Sequence, residues 1–216
     1  MASRQLQHPA APNLPLAGAD YTRQYQDQFA NVLRLYFNRL NSNLLNLFGA
    51  NGGQFIDCPN GLFFDLGTYS PAAINTGYPL EFKVAYLSNA IRVVDNTKIT
   101  VDIAGVYNFQ YSSAVTSTNA SLKTVWVWIR RNGADVGYST NEYTVSGSGT
   151  DTIISWQFNI DLDVGEYLEM MWAASDTNVQ IATTPPTPPA PHPGIPANVV
   201  VVNFIAPLPD PRPTPP

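Results

Sequence analysis

What this sequence has little of is charge. Only 12 % of its 216 residues are Asp, Glu, Lys or Arg, against roughly 25 % in ordinary globular chains. A single water-soluble copy with so few charges carries too much uncharged surface, so another chain is expected to cover part of it. The formal net charge is -5 and Arg130-Arg131 is the only adjacent basic pair. Phosphate binding needs a basic stripe, so nucleic acid is excluded as a partner.

Cysteine and histidine are almost missing as well. Cys58 stands alone, which excludes an intrachain disulfide; it is expected to pack as a small apolar group. His8 and His192 are the only histidines, and each precedes a proline in an irregular segment. No Ser-His-Asp triad or His-rich metal cluster fits inside the β region on that basis. No glycine-rich phosphate loop is present: Gly147-Ser148-Gly149 makes a turn with no helix behind it. The reading is therefore a non-enzymatic chain without a cofactor. Asp161 and Asp163, two apart on a polar face, and Asp176 and Asn178 in a loop are read as solvated groups beside turns, with calcium as the alternative.

No apolar run approaches the ~20 residues of a membrane span. Met1 to Gly18 is punctuated by Pro9, Pro12 and Pro15 and has no continuous apolar core, so no secretory leader is expected. Synthesis in a cytoplasm without membrane insertion follows as the expectation.

What is present falls into four parts. Residues 1–19 read as an extended proline-containing arm, either a disordered tail or a peptide lying along a neighbouring protein. Residues 20–49 read as a helix, with Asp20 as N-cap and Gly49 at the C-terminal cap. Its apolar seam is Phe29, Leu33, Tyr36, Leu40, Leu44 and Leu47, in steps of three and four. Val32, Phe37 and Leu45 widen the stripe beyond a two-stranded seam. Three helices together, one helix on a partner, or one helix on its own β domain would each satisfy it.

Residues 50–206 read as β throughout, with a proline-rich loop at 183–196, and 207–216 form a proline-rich tail. After the Gly52-Gly53 break, strands are expected at Gln54–Ile56, Gly61–Leu66 and Tyr78–Tyr86. Ile99 to Tyr111 reads as a hairpin: Ile99, Val101, Ile103, Tyr107, Phe109 and Tyr111 share one side, and Thr100, Asp102, Asn108 and Gln110 the other. Val125 to Ile129 is apolar on both faces. Asn132-Gly133 after it is a strong hairpin signal, with Gly137 to Val145 returning. Thr152 to Leu162 alternates with Trp156, Phe158, Ile160 and Leu162 inward. Tyr167 to Ala173 and the apolar Val199 to Ile205 close the series.

The string Ala104-Gly-Val-Tyr-Asn-Phe-Gln-Tyr111 resembles the Gly-x-Tyr-x-Phe-x-Tyr core of C1q and tumour-necrosis-factor-like domains. The Arg-Asn-Gly turn, the Leu-x-Val-Gly-Glu turn at 162–166 and the final Asn-Phe-Ile extend the likeness over about 56–207. The loop at 183–196 departs from it, since the family has a shorter connection there. The resemblance implies an antiparallel jelly-roll sandwich that assembles as a homotrimer, one sheet lying against the threefold axis. Trp126, Trp128, Tyr107, Tyr111, Met170 and Met171 are then the candidate intersubunit contacts. Val32 to Leu40, Val-Leu-Arg-Leu-Tyr-Phe-Asn-Arg-Leu, is similar to the short N-terminal helix of tailed-phage virion proteins.

Together these imply an accessory structural protein of a phage particle, on the head or as a fibre. It would be anchored on other virion proteins through residues 1–48, with a knob projecting outward. The alternative is a receptor-binding module that recognises a host surface glycan or protein, with Tyr138 and Tyr143 as loop aromatics.

Overall fold

The computed structural model describes residues 12–16, 22–48, 58–149, 151–186, 189 and 193–209. The expected cap residues Asp20 and Gly49, the strand at Gln54–Ile56, both histidines, most of the arm and most of the tail lie outside them. The chain divides into two compact units, Met1–Asp57 and Cys58–Pro216.

In the first unit, α1 runs from Arg23 to Phe48. Its N-cap is Thr22: the Tyr25 amide donates to Thr22 Oγ1 at 3.2 Å and the Gln26 amide to the Thr22 carbonyl at 3.3 Å. The helix therefore starts later than the Asp20 reading placed it. No acidic residue sits in its first turn and no basic one in its last, so the helix dipole goes uncompensated. Of the seam, Phe29, Leu33, Tyr36, Leu40 and Leu47 are half-buried and Leu44 is exposed. Leu35, Phe37 and Leu45, off the seam, are 51 %, 57 % and 65 % exposed.

The second unit is a sandwich of two antiparallel sheets. Its strands are β1 (Asn60–Asp65), β2 (Thr68–Tyr69), β3 (Tyr78–Pro79), β4 (Val84–Asn89), β5 (Ile91–Val94), β6 (Lys98–Val101) and β7 (Gly105–Ser117). They continue with β8 (Lys123–Arg131), β9 (Ala134–Asp135), β10 (Asn141–Val145), β11 (Thr152–Leu162), β12 (Tyr167–Ala174), β13 (Val179–Ala182) and β14 (Asn198–Ala206). One sheet, here sheet A, runs β4-β1-β14-β7-β11, with β13 and β2 extending it beside the far end of β7. The other, sheet B, runs β10-β8-β12-β6-β5, with β3 on β12 and β9 on β8. The first strand lies beside the last and the chain crosses repeatedly between the two antiparallel sheets, as in a jelly roll. The fold is mainly β, preceded by one helix.

The opening motif does not form a hairpin. β6 pairs with β5 and β12, while β7 pairs with β11, β13 and β14, so residues 102–104 carry the chain from one sheet to the other. Alternation cannot separate the two cases, because strands in facing sheets both turn every second residue toward the core. Ile99, Val101, Tyr107, Phe109 and Tyr111 are buried as read, but Ile103 at the crossing is 46 % exposed. The Tyr107 hydroxyl donates to the Ile103 carbonyl at 2.6 Å and pins that crossing.

Between the sheets lie Phe63, Phe82, Phe109, Leu168, Met170 and Trp172, all at most 2 % exposed, each contributing about 1.5–3 kcal/mol by burial. Phe158 of β11 stacks on Phe109 with centroids 5.3 Å apart. The expected strand at Tyr78–Tyr86 is two short ones, with Leu80 and Phe82 dropping into the core between them. Asn132 and Gly133 hold φ of 49° and 85°, the doubly left-handed turn the Asn-Gly signal requires. Thr184 and Ile195 bridge at the base of the proline-rich loop, with amide–carbonyl distances of 2.9 and 2.8 Å. Cys58 is exposed and does not pack as an apolar core group.

Candidate assembly interface

The two sheets present very different outer faces. On sheet A the strand registers align side chains into rows that cross five strands. One row is Asn89, Asn60, Asn203, Asn108 and Asn159, from β4 through β1, β14 and β7 to β11. The next is Leu87, Leu62, Val201, Gln110 and Gln157, and the third is Val84, Phe64, Val199, Ser112 and Ser155. No Asp, Glu, Lys or Arg occupies any of these positions. The β4-β1-β14 side is largely apolar and the β7-β11 side is uncharged and polar.

The rows are tied together by side-chain amides. Asn108 Nδ2 donates to Asn159 Oδ1 at 2.8 Å, and Gln110 Nε2 donates to Asn108 Oδ1 at 3.0 Å. At the other end, Asn60 and Asn89 both donate to the Cys58 carbonyl, at 2.8 and 3.0 Å. Between them Gln110, Ser112, Ser155, Gln157, Val199 and Val201 line a shallow depression of about 390 Å³. The nearest charge along β11 is Asp161, beyond the asparagine row and 3.9 Å from the Arg131 guanidinium.

Sheet B carries charge of both signs. Outward on it lie Glu142, Trp126 and Ala173 in one row, Arg130 and Glu169 in another, and Tyr167, Thr100 and Arg92 in a third. Trp126 and Trp128 do face outward, half-buried. Each indole N–H is already engaged, Trp126 with Glu142 Oε2 and Trp128 with Asp135 Oδ1, both at 2.9 Å. A Cβ added at Gly77 would come within 2.8 Å of the Trp128 ring, so that turn's backbone lies on the indole.

Met171, beside Trp128, is 1 % exposed, covered by its own chain. Tyr107 and Tyr111, at 0 % and 3 %, and Met170 point between the sheets. The inward register of β7 and β12 buries Tyr107, Tyr111 and Met170 between the sheets, while Met171 faces outward beneath its own chain, so none of the four presents open surface on the single chain. Of the expected loop aromatics, Tyr143 belongs to β10, packs on the core and donates to the Ser155 carbonyl at 2.7 Å. Tyr138 is fully exposed, with φ of 59°.

The remaining polar clusters are internal ties. Tyr111 donates to Ser113 Oγ, which donates to Asn198 Oδ1, all three buried. Tyr69 donates to Asp65 Oδ2 at 2.5 Å and accepts from Lys83 Nζ at 3.1 Å. Burial first, then the Asp65 hydrogen bond, pushes its phenol well above the usual value. Lys123, 2 % exposed, fills a cage of the Asn119 and Ser121 carbonyls, Asn119 Oδ1 and Ser121 Oγ. Asp176 Oδ1 is held by the Asn178 amide at 2.8 Å. Among the described residues no three His, Cys, Asp or Glu side chains converge as a metal site would require.

No protein-family model and no curated protein matches the sequence. Among solved structures, the chain is similar to Eiger TNF from S. frugiperda at 13 % identity and a TM-score of 0.49, over 74 % of this chain and 99 % of that one.

Proposed function

We propose that this chain is a non-enzymatic structural protein that associates with two further copies of itself through the outer face of sheet A. The carrying observation is the contrast between the faces. Charge is scarce overall, at 12 % of residues, and the scarcity is concentrated on one surface. Covering a charge-free face removes no ion from water, whereas covering sheet B would strip several charges or leave them unpaired. Three copies is the number that the C1q and tumour-necrosis-factor-like resemblance implies.

The setting we assign is a tailed-phage particle, with residues 1–48 docked on other virion proteins and the jelly roll projecting. The exposed Phe37 and Leu45 of α1 support docking, since they leave apolar area for a partner helix or groove to bury. The test is incorporation: particles assembled with a chain lacking residues 1–48 should carry none of it. Particles loaded normally with the shortened chain would remove the anchoring role.

One observation favours a second reading. Tyr138 holds a left-handed backbone while its ring is fully exposed, a placement suited to stacking on a host glycan. Binding of the full chain to host cells that Tyr138→Ala abolishes would support it; equal binding by both would remove it.

A further inference from the structure

We infer that the asparagine row on sheet A sets the register in which copies of this chain meet. The inference rests on the preceding reading, that the outer face of sheet A is a self-association surface, and adds what chooses the alignment there. The occupant is another copy of the chain, because a line of primary amides is matched best by a line of primary amides. Each offers two N–H donors and a carbonyl acceptor, so two rows in contact satisfy one another. A partner surface of other chemistry would have to reproduce that alternation over five strands spaced about 4.8 Å apart.

Asn203 is the member of the row that has most to gain from a neighbouring amide. It sits at the centre of the row, opposite Asn60 on one side and Asn108 on the other, and is half-buried already. Among the described residues its side chain makes no hydrogen bond, while Asn60, Asn89 and Asn108 all make them. A polar group left unpaired when an interface closes is costly. Only the alignment that brings an amide of the neighbouring copy to Asn203 avoids that cost. Slipping by one row sets Asn60 and Asn203 against Leu62 and Val201, which accept no hydrogen bond, because the glutamines of that row, Gln110 and Gln157, stand at its β7-β11 end. The apolar β4-β1-β14 ends of the next two rows supply attraction without direction, and Asn203 among them supplies direction, as a buried polar residue does in a helical interface.

The test uses the full chain. Cys58 is its only cysteine, is exposed, and its carbonyl accepts from the asparagine row at 2.8 Å. A spin label there reports distances between copies by pulsed electron resonance. The unmodified sequence should give one narrow distance population. Asn203→Leu should still associate but show a distribution broadened into several populations, with mixed masses by native mass spectrometry. Asn159→Leu, on the exposed edge strand, should do the same and guards against a misfolded central variant. An unchanged narrow distance in both variants would overturn the inference while leaving self-association standing. Dissociation of both to folded single copies would also overturn it, since the amides would then drive assembly and not orient it. No coupling between labels in the unmodified chain, with a single-chain mass, would instead sink the reading beneath.

Discussion

Asn108 on β7 donates a hydrogen bond to Asn159 on β11 across 2.8 Å, on a face that holds no ionisable group in three successive rows. Such cross-strand pairs contribute about 0.2–1 kcal/mol each. That is too little to explain why an exposed surface avoids charge so completely. Burial against like surface, as proposed above, would supply the reason.

Charge placed on that face should therefore break association without breaking the fold. Gln110 is exposed and points outward from β7, so Gln110→Lys should cost the single chain no more than about 0.5 kcal/mol. At an interface the same ammonium is buried without a partner, a penalty of several kcal/mol and about a hundredfold or more in association. Thr144→Lys, outward on sheet B, is the control. Sedimentation should find Gln110→Lys dissociated and Thr144→Lys unchanged; equal behaviour would place the contact elsewhere.

Acid should weaken the jelly roll through the turn before β12. Glu166 accepts from Arg131 Nε at 3.2 Å, Asn132 Nδ2 at 2.7 Å and the Asp163 amide at 2.8 Å. Burial alone would raise its carboxyl, but these donors outweigh it and hold it below the usual glutamate value. A depressed folded value means the contribution is complete above the unfolded pKa of about 4.3 and disappears as pH falls through the folded one. Glu166→Gln should lower the melting temperature at pH 7 and flatten its decline below about pH 4. A variant that melts in parallel with the parent through that range would contradict the assignment.

The Trp128 indole and, after it, the Arg130 guanidinium hold the Asp135 carboxyl below its usual value. In Trp128→Phe the ring stays and the donor goes, so Asp135 should titrate at higher pH. Carboxyl chemical shifts followed by nuclear magnetic resonance would show the displacement. An unmoved titration would mean that the indole bond is not formed in solution.

Lys123 is a cation supplied by the chain to its own oxygen cage. Replacing it by Met keeps the aliphatic stem and leaves the Asn119 and Ser121 oxygens without their donor, a loss of about 1–3 kcal/mol. Urea unfolding measures it, and a variant as stable as the parent would show that water satisfies the cage equally well.

Much of the sandwich was legible because alternation and turn chemistry are local. Thr152–Leu162 and the Asn132-Gly133 hairpin appear where their patterns place them. The destination of each strand was not legible. Ile99–Val101 and Tyr107–Tyr111 read identically as a hairpin or as strands of facing sheets, and only pairing decides.

The same limit hid the asparagine row, whose members stand at 60, 89, 108, 159 and 203 with nothing between them in sequence to relate them. Hydrophobicity pointed to Trp126, Trp128 and Met171 as contacts. Turns and carboxylates of the same chain attend to those side chains, and the bare face consists of Leu, Val, Asn, Gln and Ser, which no single strand makes conspicuous.

The most direct test of the central claim is the mass of the full chain in solution at micromolar concentration, followed by the sites protected from hydrogen exchange. Three chain masses are expected, with β14, β7 and β11 slowing their exchange on concentration while β8 and β10 do not change. A single chain mass, or protection on the tryptophan-bearing sheet instead, would contradict it.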